Sequence, residues 1–253
     1  MPPLQVLCLL SRLTSSFQAR EGWRSYLLLY ALPISLVSLA AVYLVVPSAP
    51  QKLGSVGKEA YLSSFKQVFL KKSAAACLIG AMFRQAAIGY ASVFSATFFR
   101  NQFGLSLASA ALFVLGFLAL FSLGSILGGQ LVNRVGRKRL LVATLVVSSP
   151  ALVLVAFVPN LWVALAFHYI FFFIFSMSNS TTVSLTLEQA PESRGTMMSM
   201  NSIFVTLGLA LGAALGGGAL VLSGWVGLIL AFAALGFIAA GIFFFLTEDP
   251  CTM

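Results

Sequence analysis

Long apolar stretches divide this sequence and constrain its fold more than any other feature. Seven of them hold few charged side chains, and each is long enough to cross a hydrocarbon layer of about 30 Å as a helix. They are residues 24–46, 74–99, 107–132, 139–158, 161–185, 197–222 and 226–247. Backbone N–H and C=O groups inside lipid must bond to one another, so all seven are predicted to be helical. The sequence predicts an all-α membrane protein with about seven transmembrane helices.

The distribution of charge predicts the orientation of these helices. Only 8% of the residues are charged, against roughly a quarter in soluble domains. The net charge of +9 is compatible with nucleic-acid binding, but ten of the 15 Lys and Arg residues fall in alternate gaps between the apolar stretches: Lys52, Lys58, Lys66, Lys71, Lys72, Arg134, Arg137, Lys138, Arg139 and Arg194. Such alternation marks cytoplasmic loops. It predicts an amino terminus outside the cytoplasm, a carboxyl terminus inside it, membrane lipid as a partner and no nucleic-acid partner.

Composition along the chain predicts four regions. Residues 1–22 form an extracytoplasmic stub, residues 23–47 a first transmembrane helix, residues 48–73 a cytoplasmic linker and residues 74–250 a six-helix bundle. Apolar residues in the second half of the linker follow helical spacing, which predicts an amphipathic helix on the membrane surface, with a solvated loop as the alternative. The loops within the bundle are too short to hold a soluble catalytic domain.

One short basic segment, "GQLVNRVGRKR" from Gly129 to Arg139, carries a resemblance to a known family. It is similar to the signature between the second and third helices of the carboxyl-terminal half of major facilitator superfamily transporters, roughly G-x-L-a-D-R-x-G-R-[KR]-[KR]. Asn133 stands where the family most often has Asp. Residues 22–33, 98–112 and 190–220 resemble the start of the family's sixth helix, the link between its seventh and eighth helices, and the start of its eleventh helix.

The resemblance implies both an activity and a missing part. Transporters of this family have twelve spans in two six-helix halves, and this chain matches helix six and helices seven to twelve. It therefore resembles a truncated or split secondary transporter that moves a small solute by alternating access, together with a complementary amino-terminal half or with a second copy of itself. The stretch "GAALGG" (residues 212–217) resembles the drug-antiporter signature G-P-x-x-G-G, with Ala213 in place of proline. This suggests efflux of drug-like or sugar-like solutes.

In such transporters the basic turn acts as a cytoplasmic latch between helices. The resemblance and the nearby acidic residues assign eight residues to this cytoplasmic latch: Gly129, Asn133, Arg134, Gly136, Arg137, Glu188, Glu192 and Arg194. Gly136 suits a tight turn with positive φ, and Asn133 can cap a helix end through its side-chain oxygen. The alternative interpretation is a basic anchor that fixes only the orientation in the membrane.

Polar residues inside the apolar stretches are candidates for a solute pathway. Arg84 lies twelve residues after Lys72, or about 18 Å along a helix and near the middle of the membrane. Its predicted role is to bind an anionic or carbonyl group of the solute, with snorkelling or structural hydrogen bonding as the alternative. His168 can relay a proton or pack as a hydrogen-bonded residue. Ser176, Ser178, Asn179 and Thr181 are predicted to line the pathway, with hydroxyls that bond back to their own helix as the alternative for Ser and Thr.

Three glycines spaced four residues apart, Gly208, Gly212 and Gly216, predict a helix face against which a neighbouring helix packs closely. No nucleotide-binding, zinc-protease or nucleophile motif is found in the sequence, so neither catalytic residues nor a metal or cofactor is predicted. Two other functions stay open from the sequence: a seven-helix receptor, and a membrane protein that regulates without transporting. Both predict a helical membrane protein without solute flux.

Overall fold

The computed structural model describes residue 28, residues 31–45 and residues 68–249. Helix α1 (Leu32–Val45) is apolar and lies within the first predicted span. It belongs to a different compact unit (Met1–Val56) from the helices that follow (Gly57–Met253). The predicted stub (1–22) and the linker up to residue 67, with most of its surface helix, lie outside the described residues.

The second unit is helical throughout residues 68–249, apart from short connections. Its helices are α2 (Lys72–Gly89), α3 (Ser95–Phe103), α4 (Leu107–Val135), α5 (Arg137–Phe157), α6 (Leu161–Gln189) and α7 (Arg194–Leu246). A π-helical turn, Tyr90–Phe94, joins α2 to α3. Gly224 has non-helical angles (φ 65°, ψ −159°) and divides α7 in two. The result is six successive helical rods, which confirms the predicted all-α fold.

Length and hydropathy agree with a multi-pass membrane protein. Four helical segments of the described part of the chain are long and apolar enough to cross a membrane: Leu107–Val135, Arg137–Phe157, Leu161–Gln189 and Pro191–Leu246. The last of these is the pair of helices divided at Gly224. Large apolar side chains also face outward, as α4 shows with Leu112, Leu118 and Ile126 at 60%, 51% and 60% exposure. Such a surface is stable against lipid but unfavourable in water.

Local signals account for where the helices begin and end. Ser106 and Asn160 precede α4 and α6, and their side-chain oxygens accept hydrogen bonds from backbone N–H groups in the first turn of each helix. At the other end of α4, Gly136 has φ 92° and ψ 146°, and its N–H donates to the carbonyl of Val132 at 3.1 Å. A side chain is strained at such a φ, so glycine permits the sharp turn into α5.

The glycine stripe of α7 lies where two helices meet most closely. A Cβ atom on Gly208 would collide with the carbonyl oxygen of Met82 in α2, and one on Gly212 would lie 3.0 Å from the Cα of Ala86. The third glycine, Gly216, meets aromatic rings instead. This geometry agrees with the predicted packing face, because the absent side chains allow the two backbones to approach.

Helices α4 and α6 pack in the same way, but through glycines other than the one in the basic segment. A Cβ on Gly128 would lie 2.6 Å from the Cα of Met177, and one on Gly124 would collide with Ser176. Gly129 has room, since its nearest neighbour, Ser180, would be 3.8 Å away. The close approach of α4 to α6 therefore occurs at Gly128, one position before the basic segment.

Candidate functional site

The most deeply buried charge of the bundle is Arg84, on the side of α2 that faces α6. Its side chain is only 3% exposed. One terminal nitrogen, Nη1, donates to the hydroxyl of Ser178 at 3.1 Å. The other, Nη2, donates to Oδ1 of Asn179 at 3.1 Å and to Oε1 of Gln85 at 3.4 Å. Arg84 therefore joins two helices through neutral oxygen atoms.

The positive charge of Arg84 is not matched by a negative one. No carboxylate among residues 68–249 forms an ion pair with it, and its Nε has no hydrogen-bond partner there. The guanidinium lies 5.6 Å from the ring centre of Phe175, which adds a cation–π contact. Neutral dipoles and a ring recover only part of the solvation that a buried cation loses. The site is thus electrostatically suited to an anionic group or to a strongly polar oxygen.

His168 lies in an aromatic enclosure nearer the start of α6. Four rings surround its imidazole at centroid distances of 5.0 to 5.6 Å, those of Tyr90, Phe99, Phe117 and Phe172. Neither ring nitrogen has a hydrogen-bond partner among the described residues, and the Tyr90 hydroxyl also lacks one. A proton relay needs a chain of hydrogen bonds, which the described residues do not supply in this conformation. The geometry instead shows an imidazole ring packed among aromatic side chains.

The remaining pathway candidates divide into two kinds. The hydroxyls of Ser176 and Thr181 donate to carbonyl oxygens of their own helix, those of Phe173 and Met177, at 2.8 and 2.9 Å. This is the alternative that the sequence left open for Ser and Thr. Asn179 instead directs its side-chain oxygen to Arg84. The structure therefore brings together Arg84, Ser178 and Asn179 among the predicted residues.

Sequence reasoning missed two contributors near these residues, Gln85 and Tyr90. Gln85 directly follows Arg84 and accepts one of its hydrogen bonds. Tyr90 begins the π-helical turn, an irregularity that no periodicity in the sequence predicts. Such turns occur frequently at functional sites, which would have been the reason to inspect this stretch.

A cluster of charged side chains lies at the carboxyl-terminal end of α6. Oε1 of Glu188 lies 3.7 Å from Nη1 of Arg137 and 3.9 Å from Nη2 of Arg194. These residues belong to the start of α5, the end of α6 and the start of α7. Glu188 thus bridges two cations on different helices. Four residues of the predicted latch meet here or beside it, namely Gly136, Arg137, Glu188 and Arg194.

The other four latch residues lie apart from this cluster. Asn133 is exposed within α4, and α5 has no side-chain cap, its N-cap being Gly136. The capping role predicted for Asn133 is therefore wrong, because α4 continues beyond it to Val135. Arg134 forms no ion pair with a described residue. Glu192 pairs with Lys71 at 3.6 Å, and Gly129 makes no close backbone contact.

A neutral hydrogen-bond triangle, which the sequence did not indicate, joins three helix ends near the charge cluster. The Ser73 hydroxyl donates to Oε1 of Gln189 at 2.7 Å, and Nε2 of Gln189 donates to the carbonyl of Glu248 at 2.9 Å. The N–H of Glu248 returns to the Ser73 oxygen at 2.8 Å. This triangle ties the start of α2 and the end of α6 to the residues after α7.

Comparisons with known proteins agree with this architecture. The sequence profile described as Major Facilitator Superfamily matches residues 9–184 and residues 77–252. The fold is similar to the crystal structure of a bacterial homologue of the human lysosomal transporter Spinster, in an inward-facing and unoccupied conformation, with a TM-score of 0.65 and 18% sequence identity.

That similarity covers 96% of this chain and 66% of the bacterial transporter, so the chain spans just under two thirds of its length. No curated protein sequence matches significantly. At 18% identity the structural likeness establishes the fold, whereas the sequence profile covers well over half of the chain. This chain is a multi-pass membrane protein that belongs to the Major Facilitator Superfamily.

Proposed function

We propose that this protein is a secondary transporter that moves a small solute by alternating access, with its six-helix bundle forming one half of the pathway. Family membership supports transport as the general activity. The observation that carries the proposal further is the buried, uncompensated guanidinium of Arg84 between α2 and α6. Buried charges in membrane helices are costly and mark solute or ion pathways.

Arg84 favours solutes that carry hydrogen-bond acceptors. Its N–H groups donate to Ser178 and Asn179. Oxygen atoms of a solute can replace these two residues as acceptors. A carboxylate or phosphate gains most from this site, because its charge offsets the cation as well as accepting its hydrogen bonds. Carbonyl and hydroxyl oxygens of drug-like or sugar-like molecules gain less. Efflux of such solutes is our proposed subclass, supported by the resemblance of residues 212–217 to the antiporter signature.

The cytoplasmic charge cluster supplies a contact that can break and re-form. Arg137, Glu188 and Arg194 are partly exposed, so each of their ion pairs stabilises the protein by about 1 kcal/mol or less. Small contributions of this size still bias an equilibrium between two conformations when one conformation loses them. We propose that the pairs hold the cytoplasmic ends of α5, α6 and α7 together in one conformation and separate in the other.

A complete pathway requires a second half. Transporters of this family enclose their solute at the interface between two six-helix halves. We propose that a complementary amino-terminal half, or a second copy of this chain, provides the other wall. We also propose that the amino terminus lies outside the cytoplasm and the carboxyl terminus inside. Nothing in the comparisons favours a receptor or a non-transporting regulator.

Flux measurements distinguish transport from a receptor function. The chain is reconstituted in vesicles together with a matching amino-terminal half, and the movement of carboxylates, organic phosphates, neutral sugars and cationic drugs is followed against empty vesicles. We expect saturable flux that is fastest for acceptor-rich, anionic solutes. Saturable binding without flux for every solute bound would contradict transport and favour a receptor.

A further inference from the structure

A groove with charge at one end and apolar walls opens between the start of α5 and the end of α7. Its volume is about 520 Å³, and its lining consists of Lys138, Arg139, Val142, Ala143, Val146 and Phe244. None of these residues belongs to the Arg84 site or to the charge cluster around Glu188. The groove therefore needs an occupant of its own.

The order of residues along α5 makes the groove charged at one end and apolar at the other. Positions 138, 142 and 146 are four residues apart and share a helix face, so the groove extends about 12 Å along the helix. The two cations lie at the predicted cytoplasmic end, and only apolar side chains follow deeper in the membrane. Val146 and Phe244 are 43% and 55% exposed, which leaves an apolar surface for a hydrocarbon chain to cover.

The cations at the mouth of the groove have no carboxylate bound to their side chains. Neither Lys138 nor Arg139 forms an ion pair with a described residue. Asp249 accepts a hydrogen bond from the backbone N–H of Lys138 at 3.4 Å. The ammonium lies 5.8 Å from the ring centre of Phe244, where the charged and apolar parts of the groove meet.

We propose that this groove binds an anionic phospholipid, with its phosphate between Lys138 and Arg139 and an acyl chain along Val142, Val146 and Phe244. An anionic phospholipid matches both halves of the groove at once. Inorganic phosphate would leave the apolar wall uncovered, and an uncharged lipid would leave two cations without a counter-charge. Basic pockets between helices on the cytoplasmic side bind anionic lipid headgroups through this combination of contacts.

The lipid gives the basic segment a second use that is independent of transport. Arg137 faces Glu188, whereas the next two residues of α5, Lys138 and Arg139, line the groove toward α7. The first turn of α5 thus directs Arg137 to Glu188, and Lys138 and Arg139 to the lipid phosphate. A bound phospholipid would fasten the cytoplasmic end of α5 to the last helix of the bundle.

Lipid titration of the purified full chain in neutral detergent tests the proposal. Binding of phosphatidylglycerol and of phosphatidylcholine is measured by native mass spectrometry, with inorganic phosphate as a competitor. Each basic residue near a membrane surface contributes on the order of 1 kcal/mol, or about fivefold in affinity. We therefore expect K138Q/R139Q to weaken phosphatidylglycerol binding by about 30-fold and to leave phosphatidylcholine binding unchanged.

Two further variants separate a built groove from general attraction between charges. K72Q/R100Q removes the same number of exposed cations elsewhere and is expected to leave phosphatidylglycerol binding within about twofold. Val146→Trp keeps both cations but fills the apolar part of the groove, and it is expected to weaken binding at least tenfold. Melting temperatures in lipid-free detergent verify that each variant is folded.

The proposal is overturned by any of four results. Equal affinity for the two lipids would show that the cations do not select charge. An equal loss in K72Q/R100Q and K138Q/R139Q would show that only net charge matters. Full competition by millimolar inorganic phosphate, or no effect of Val146→Trp, would show that the apolar wall is not used.

Discussion

At the scale of single residues, Arg84 carries the functional argument because its presence is unfavourable for the fold alone. An arginine at the centre of a membrane helix costs about 3 kcal/mol on insertion scales. Its neutral partners, Ser178 and Asn179, do not neutralise it. A residue that only joined α2 to α6 could do so without a full charge. The charge itself therefore requires a use, and solute binding is the use that we propose.

Replacement of Arg84 separates its role in transport from its role in folding. Arg84→Ala removes the cation and leaves Asn179 with an unpaired acceptor, which costs about 1–3 kcal/mol of stability. We expect membrane insertion at least as efficient as in the wild type, because the insertion penalty disappears, and solute flux reduced more than tenfold. Flux in vesicles and the amount of inserted protein measure the two effects.

Arg84→Lys is the matched control for this experiment. It keeps a positive charge but loses the planar fork that reaches both Ser178 and Asn179. Its flux is expected to fall between those of the wild type and Arg84→Ala. Wild-type flux in a well-inserted Arg84→Ala protein would show that Arg84 is structural.

His168 leads to the opposite expectation. Its two ring nitrogens are buried inside the aromatic enclosure and have no hydrogen-bond partner among the described residues, and each such atom costs about 1–3 kcal/mol. His168→Phe replaces the imidazole with a ring of a similar shape and no polar atoms. We expect a melting temperature equal to or above that of the wild type and unchanged flux at every pH. Loss of flux in this variant would restore the proton relay that the sequence allowed.

At the scale of helices, close contacts between backbones hold the bundle together. Association inside a membrane depends on packing rather than on exclusion of water, so small residues at the contact are what allow it. Gly208 and Gly212 allow α7 to pack closely against α2. Gly124 and Gly128 do the same for α4 against α6. The two helices at the Arg84 site are therefore each held by a close glycine contact, α2 with α7 and α6 with α4.

Two glycines of α7 provide a test with an internal control. A Cβ on Gly212 would meet the backbone of Ala86, whereas one on Gly217 would meet nothing within 4 Å. Gly212→Ala should therefore lower the melting temperature, because α7 must move away from α2. Gly217→Ala should leave it unchanged or raise it slightly, since alanine favours a helix by about 0.5–1 kcal/mol over glycine. Equal melting temperatures of the two variants would contradict the close packing.

At the scale of the whole molecule, the ends of three helices meet at Glu188. Glu188→Gln keeps the shape of the side chain and removes both ion pairs, with Arg137 and with Arg194. We expect little change in melting temperature, because each pair contributes about 1 kcal/mol or less. Hydrogen exchange of residues 186–196 should nevertheless become faster, as the helix ends separate more often.

Glu192→Gln is the control at the same end of the molecule. The Glu192 side chain is 76% exposed, and among the described residues it pairs only with Lys71, so its replacement should leave exchange of this segment unchanged. Similar acceleration in both variants would mean that net charge, rather than the bridge at Glu188, controls the opening.

The sequence predicted the all-α membrane fold because the membrane imposes strict requirements. Helix length follows from bilayer thickness, and unpaired backbone groups are excluded from lipid. Gly136 was also predictable, since the turn between α4 and α5 needs a positive φ. The role of Asn133 was not, because α4 continues two residues beyond it, to Val135.

Contacts between distant segments could not be read from the sequence. Ser73, Gln189 and Glu248 meet although up to 175 positions separate them, and no local pattern marks such a meeting. The same holds for Arg84 and Asn179: the sequence identified both as polar residues in apolar stretches, but only the packing of α2 against α6 brings them into contact.

We propose that this bundle forms one half of an alternating-access pathway. Solute flux into vesicles tests it most directly, with the chain reconstituted alone as a proven monomer, at a density that permits self-association, and together with a matching amino-terminal half. We expect flux only when a second half or a second copy is present. Equal, substantial flux from the monomer alone would contradict it.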